Sequence, residues 1–285
     1  PVGIEIHMSV TTTKEIIREA IRMYRPVHVI LLFSGGHDSL VSSHVSSSIL
    51  NEMGISFNVY HGDTTIGIPE TQDYVRMVCE AYGWNLIIRR PPNKNDWYES
   101  IVRRSGFPGP TQQAHQITYR CLKERALRHF ITHEIKSTPY ARENVMLLTG
   151  IRRSESRIRM GYNDTTAKDD SRIWINPIHY WTKEDCEKYI KANNLPRNPV
   201  KDKLCISGEC LCGAFAGNEE YTEIKEHYPH VAQEIERLHD IAKANGYPWP
   251  WSMGPREWYK MYPPGQMNMF MCVDCESKRS VNVKN

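Results

Sequence analysis

The sequence predicts an α/β protein: a doubly wound parallel sheet followed by a smaller Cys-rich, helical lobe. Three observations lead there. A nearly continuous apolar run at 27–33 ends in Ser34-Gly35-Gly36, a helical pattern from Asp38 gives way to strand character at 56–60, and cysteines crowd the chain after residue 200.

Residues 13–24 carry apolar side chains at Ile16, Ile17, Ala20, Ile21 and Met23, a helical period preceded by a threonine run able to cap it. Arg25-Pro26 breaks that helix. Residues 27–33 then read as a short strand buried on both faces, as in a parallel sheet. From Asp38 the spacing of Leu40, Val41, Val45, Ile49 and Leu50 is helical up to Gly54, and 56–60 returns to strand. Such a βαβ unit is almost always right-handed and builds a parallel sheet. The alternation continues through a helix at 71–82, a strand at 85–88, a helix at 123–134 and a strand at 145–149. Residues 1–200 are therefore expected to form one domain, with ligands bound outside the carboxyl ends of its strands. After the segment 174–178 and a helix at 183–193, the character changes at Leu195-Pro196-Arg197-Asn198-Pro199, which puts a boundary near residue 200. Residues 201–285 are Cys-rich, then helical from about 222 to 244, then aromatic and proline-rich through Tyr247-Pro248-Trp249-Pro250-Trp251.

A chain of 285 residues suits one large domain with an appendage, since single cores stop growing near roughly 250 residues. Charged residues make up 24% and hydrophobic ones 40%, and no apolar run approaches the roughly 20 residues that cross a bilayer. The N-terminus has neither a basic start followed by an apolar stretch nor an Arg-rich amphipathic pattern, so a cytoplasmic protein away from membranes is expected. A net charge of +3 is weak support for a nucleic-acid partner, and the local clusters, above all Arg152, Arg153, Arg157 and Arg159, matter more.

The chemistry begins at Ser34-Gly35-Gly36-His37-Asp38-Ser39. A Gly-Gly turn between a buried strand and a helix lets backbone approach an anion, while the first helical N–H groups face it with the positive end of the dipole. Ser34 and Ser39 add hydroxyl donors, and Asp38 can hold a magnesium ion bridging phosphates. His37 sits at the variable position of the loop and is expected to contribute shape alone. Arg152, Arg153 and Arg159 offer forked donors for phosphate oxygens. Asp63, at a strand end, orients a ribose or a metal, or else caps a turn. Trp181 and Thr182 are expected to pack and cap the helix that follows.

These residues carry a resemblance. The loop resembles the pyrophosphate loop of the PP-loop ATP pyrophosphatases. His61-Gly62-Asp63-Thr64 with Ile68-Pro69-Glu70-Thr71, the run from Gly150 and Ile151 through Arg159, and Asn176-Pro177-Ile178-His179-Tyr180-Trp181-Thr182 resemble segments of the phosphoadenosine phosphosulfate reductase family, over about residues 27–200. The resemblance implies an adenine nucleotide α hydrolase-like fold and ATP held by residues 34–39, Asp63, Thr64, Gly150 and the arginines.

Eight cysteines are too many for chance thiols in a cytosolic enzyme. Cys205, Cys210 and Cys212 lie in one short stretch, and Cys272-Val273-Asp274-Cys275 supplies a Cys-x-x-Cys. Two thiolate knuckles suit zinc or an iron–sulfur cluster, with five cysteines for four places and Cys121 as a sixth candidate. Cys205, Cys210 and Cys212 are expected to ligate together. The tail then folds back, and 249–251 packs against the first domain as a lid. Cys79 and Cys186 read as ordinary buried thiols. Adenylyl-sulfate reductases and the ATP-pyrophosphatase component of DNA phosphorothioation systems include proteins with a 4Fe-4S cluster, so the resemblance implies that cluster ahead of zinc. A single Cys121 stands where the reductases have a Cys-Cys pair.

Reductases of this family commonly have an altered loop and use a tail cysteine in a Glu-Cys-Gly-Ile/Leu-His setting, absent from the tail here. A complete loop implies that ATP is opened between its α- and β-phosphates to adenylylate an acceptor. Sulfur then displaces the adenylate, with Cys121, beside Arg120 and Lys123, as carrier. The nearest relatives by resemblance are the DNA phosphorothioation enzymes, which implies a DNA acceptor and a cysteine desulfurase as sulfur donor. An adenylyl-sulfate reductase and a transfer-RNA thiolation enzyme are the alternatives.

Overall fold

The computed structural model describes residues 2–154, 164–214, 216–217 and 219–253, with side chains from residue 9 onward. Its centre is a six-stranded sheet in the order β3-β2-β1-β4-β6-β5. The strands are β1 (His28–Leu32), β2 (Asn58–Gly62), β3 (Leu86–Arg89), β4 (Val145–Leu148), β5 (Thr166–Asp169) and β6 (Arg172–Ile175). All pairings are parallel except β5 with β6, an antiparallel edge. The expected doubly wound α/β fold is present with that one addition. β1 lies between β2, which follows it, and β4, which the chain reaches only after leaving β3. The carboxyl end of β1 is thus a topological switch point, where open parallel sheets bind ligands.

Helices α1 (Val2–Tyr24), α2 (His37–Glu52) and α3 (Pro69–Ala81) flank this sheet. The core runs through Ile17, Val29, Leu31, Leu40, Val45, Val59, Val75, Met146, Ile173 and Ile190. α2 carries serines and buries Ser42, Ser43, Ser46 and Ser47 along with its apolar residues. The Ser42 hydroxyl donates to Thr149 O at 2.7 Å, so part of the polar cost of that burial is met across the helix–sheet interface. Trp181 and Thr182 behave as expected: Trp181 Nε1 donates to Thr13 Oγ1 at 3.0 Å, and Thr182 forms a capping box with Asp185 at the start of helix Lys183–Ala192.

The chain forms two compact units, and neither is continuous in sequence. The first comprises Pro1–Gly62, Pro69–Arg89 and His129–Gly208; the second comprises Asp63–Ile68, Arg90–Arg128 and Glu209–Asn285. A single cut near residue 200 therefore does not describe the contacts. The reason is visible at Leu211, whose N–H pairs with Ile66 O at 2.7 Å, and at Tyr98, whose hydroxyl donates to Cys212 O at 2.8 Å.

The second unit is helical. Helix Tyr98–Ser105 contacts helix Pro229–Ala244, and Tyr98, Val102 and Leu122 are fully buried. Expected as one helix from about 222 to 244, the segment is two, Glu220–His227 and Pro229–Ala244, because Pro229 has no N–H to continue the first and suits the first turn of the second. Segment 249–251 packs as a strap within this unit. Trp249 Nε1 donates to Phe107 O at 2.9 Å, and its ring lies so close to Gly106 that a Cβ there would come within 2.5 Å of it. Trp251 Nε1 donates to Leu211 O at 2.8 Å while its ring covers Gly213.

Candidate functional site

In the first unit, β1 delivers the chain directly into the glycine loop. Gly35 has φ +82°, a left-handed value open to glycine without strain, and a Cβ there would also meet Thr71 Cγ2 at 2.8 Å. Gly36 is the N-cap of α2, with no side-chain cap. The first N–H groups of the helix are thus left to face an anion, as the loop sequence implies. The serines organise the hollow: Ser34 Oγ donates to Ser39 Oγ at 3.0 Å, Ser39 Oγ to Gly36 O at 2.8 Å, and the Gly36 N–H faces Ser34 Oγ at 3.4 Å.

Gly150 closes the loop from the neighbouring strand. A Cβ on it would lie 2.7 Å from both the Cα and the N of Ser39, so β4 and the start of α2 meet backbone to backbone. Gly150→Ala is expected to cost about 1–3 kcal/mol, as overpacking does, and to weaken ATP binding by shifting the helix start. Thermal melts and calorimetry with ATP check this; unchanged affinity would remove Gly150 from the site.

Asp38 follows the loop and is clasped on two sides. Arg152 Nη2 lies 3.1 Å from Asp38 Oδ2, with side-chain exposures of 8% and 24%. The Cys186 thiol, from helix Lys183–Ala192, also bonds to Asp38, and burial first and then this carboxylate push that thiol upward. Cys186, read as an ordinary buried thiol, thus supports the loop; only its helical spacing was visible in sequence. Arg152 stands beside the loop through this pair. Arg153 is exposed, with its N–H on His179 O at 2.8 Å, and Arg159 lies outside the described residues.

His37 does more than give shape. Its Nδ1 lies 3.3 Å from Glu187 Oε1 and its Nε2 3.6 Å from Asp202 Oδ1, and Arg197 bridges both carboxylates. Burial, then Arg197, lowers the imidazole pKa against the pull of the two acids. The side chain faces these acids, which suits tethering the loop. The missed neighbour is Asn198, fully buried, whose Nδ2 donates to Gly35 O at 2.9 Å.

Asp63 and Thr64 belong to the second unit, and there both are engaged structurally. Asp63 takes its turn-capping reading, accepting from the Thr65 N–H at 2.9 Å and pairing with Arg90 at 2.7 Å. The buried Thr64 hydroxyl donates to Glu209 O at 2.7 Å.

Cys121, expected as a sulfur carrier, lies in the second unit. Its thiol is buried and its pKa is raised, by burial first, then by Asp96, against the opposing pull of Arg125. Arg120 lies 4.0 Å from Glu124 and Lys123 pairs with Glu209, so the two flanking cations serve other anions. Among the described residues of this unit the Cys212 thiol is lowered, held down by the Cys210 thiol that bonds to it, with help from His115 and a backbone N–H at Ala214; Cys210 is raised in turn.

Cys210 and Cys212 thus form a joined pair of thiols. Cys205 is exposed and belongs to the first unit, with φ +56°. Cys272 and Cys275 lie outside the described residues. Among the described residues no group of three or more His, Cys, Asp or Glu side chains is placed to hold a metal ion. Among them, too, no helix is long and apolar enough to cross a membrane.

A glycine loop that feeds the start of α2 at the switch point of a mostly parallel sheet is where such sheets bind ligands. The profile of the phosphoadenosine phosphosulfate reductase domain matches residues 28–212, and the chain belongs to that family. A phosphoadenosine 5'-phosphosulfate reductase of Xylella fastidiosa is 25% identical over 72% of this chain and 79% of its own length. An uncharacterized protein of Methanocaldococcus jannaschii is 27% identical over 75% of this chain, which spans only 47% of that relative. Of solved structures, the phosphoadenylyl-sulfate reductase of Candida auris superposes with a TM-score of 0.48 at 20% identity, covering 67% of this chain and 83% of its own. The NH3-dependent NAD synthetase of Campylobacter jejuni gives 0.48 at 15%, covering 85% and 96%. At that level neither likeness bears on chemistry.

Proposed function

We propose that the protein is an ATP pyrophosphatase that adenylylates an acceptor for sulfur insertion. One observation carries the reading: the phosphate loop is complete and its helix start carries no side-chain cap, with Arg152 and Asp38 paired at its edge. An acceptor oxygen attacks the α-phosphorus, the bond from the α-phosphorus to the bridging oxygen breaks, and pyrophosphate leaves with that electron pair. The loop N–H groups and the Ser34 and Ser39 hydroxyls hold the departing phosphates, and Arg152 balances charge as it builds on them. Asp38 is the carboxylate that would hold a magnesium ion, which supplies further phosphate neutralisation. The motif resemblance supports DNA as the acceptor and a cysteine desulfurase as the sulfur source. The same resemblance, with the joined Cys210–Cys212 pair, supports a 4Fe-4S cluster completed by Cys272 and Cys275, with zinc as the alternative.

The second reading is a reductase of an adenylyl sulfate, favoured by the family profile and by the names of the bacterial relatives. One comparison separates the two. Purified protein given ATP, Mg2+ and an oligonucleotide duplex is expected to release pyrophosphate; given phosphoadenosine phosphosulfate and a dithiol, it is expected to release no sulfite. The reverse result makes it a reductase. Iron, sulfide and zinc analysis of the anaerobically purified protein tests the cluster.

A further inference from the structure

Asn198 is fully buried in the first unit, in the stretch Leu195-Pro196-Arg197-Asn198-Pro199 that in sequence marks only a change of character. Its carboxamide is fixed at both ends. Oδ1 accepts the Val200 N–H at 2.9 Å and so caps helix Pro199–Leu204. That bond sets the flip of the amide and leaves Nδ2 as the donor, 2.9 Å from Gly35 O, with Ser207 O at 3.4 Å and Thr71 Oγ1 at 3.5 Å. Thr71 in turn donates to Ser207 O at 2.7 Å.

In a trans peptide the carbonyl and the following N–H point in opposite directions. Pinning Gly35 O against Asn198 therefore turns the Gly36 N–H the other way, toward Ser34 Oγ and the interior of the loop. A glycine pair is the most freely rotating peptide the chain can offer, so without an anchor this plane loses its orientation. We infer that Asn198 is a positioning residue for the phosphate loop: it holds the Gly35–Gly36 peptide in the orientation that presents the Gly36 N–H to the β- and γ-phosphates of a nucleotide. The inference rests on the nucleotide-loop reading above and adds to it the residue that sets the loop.

Asn198→Asp keeps the acceptor that caps Val200 and replaces the Nδ2 donor to Gly35 O, Ser207 O and Thr71 Oγ1 by a carboxyl oxygen that repels the Gly35 carbonyl, so the peptide loses its anchor while the cap remains. Binding of ATP, inorganic pyrophosphate and adenosine is measured by calorimetry on the wild type and on N198D, with N198A as a second variant and thermal melts on each. Wild-type protein is expected to bind ATP and pyrophosphate. In N198D both affinities are expected to fall about tenfold or more while adenosine affinity changes little, and the melting temperature is expected to drop because a carboxyl is buried against carbonyl oxygens. Equal weakening of adenosine and pyrophosphate in a stable variant would mean a general structural role and overturn the inference, as would unchanged pyrophosphate binding. A wild type that binds neither ATP nor pyrophosphate would overturn the loop reading and this assignment with it. If N198D melts early, the ratio of pyrophosphate to adenosine affinity in N198A at low temperature decides on the same terms.

Discussion

Asp38→Asn is expected to abolish pyrophosphate release from ATP and to lower stability by about 2–3 kcal/mol. The carboxylate faces the Arg152 guanidinium at 3.1 Å, and Arg152 is the more buried of the two. Removing the negative charge leaves a buried cation facing a neutral amide, a loss that costs about 3–5 kcal/mol when both partners are fully buried and less here, where Asp38 is partly exposed. The double variant Asp38→Asn, Arg152→Met removes both charges and is expected to regain most of the stability while regaining no turnover. Denaturant melts and a pyrophosphate assay on the three proteins separate the two effects. Full turnover in Asp38→Asn would end the assignment of this loop to phosphate chemistry.

Trp251→Ala is expected to cost about 3–5 kcal/mol in the second unit and to open Cys212 to thiol reagents. The ring is 5% exposed, covers Gly213 and donates from Nε1 to Leu211 O, so it fastens the stretch that carries Cys210 and Cys212. Trp251→Phe keeps ring bulk and loses the donor, for about 1 kcal/mol. Hydrogen exchange across 209–214 and the rate of Cys212 labelling should rise in the order wild type, Phe, Ala. Identical labelling in all three would show that the strap does not control this segment.

What was legible in the sequence was what local pattern controls. The run at 27–33 and the spacing after Asp38 placed β1 and α2 within a few residues, and the loop between them was readable because glycines, serines and an acid at that junction serve one chemistry. β5 was not legible: Thr166-Ala167-Lys168-Asp169 is a half-exposed edge with no apolar period, and only its pairing with β6 makes it a strand. The two units were hidden because contacts such as Ile66 with Leu211 join distant segments, which no window along the chain detects. Around the loop, Asp38 and Arg152, both singled out in the sequence by residue type, pair with each other. Cys186 and Asn198 were missed because a thiol on a helix and an asparagine before a proline each have ordinary structural uses. The partners of Arg120 and Lys123 were not legible either, because adjacency in sequence to Cys121 says nothing of where those side chains go.

The discontinuity of the second unit sets the order in which the chain can fold. β1, α2 and β2 lie close in sequence and can pair as soon as they are made. Helix Tyr98–Ser105 must wait: Trp249 reaches Phe107 across a separation of 142 residues, and Tyr98 reaches Cys212 across 114. At about 5–20 residues per second on the ribosome, the faces of Tyr98, Val102 and Phe107 stay uncovered for on the order of ten seconds in every newly made molecule. Closing such distant contacts is also slow once synthesis ends, because loop entropy is lost before burial compensates. The first unit is thus expected to be in place while the second is still open, and chaperone support during synthesis should raise the yield of the second unit more than that of the first.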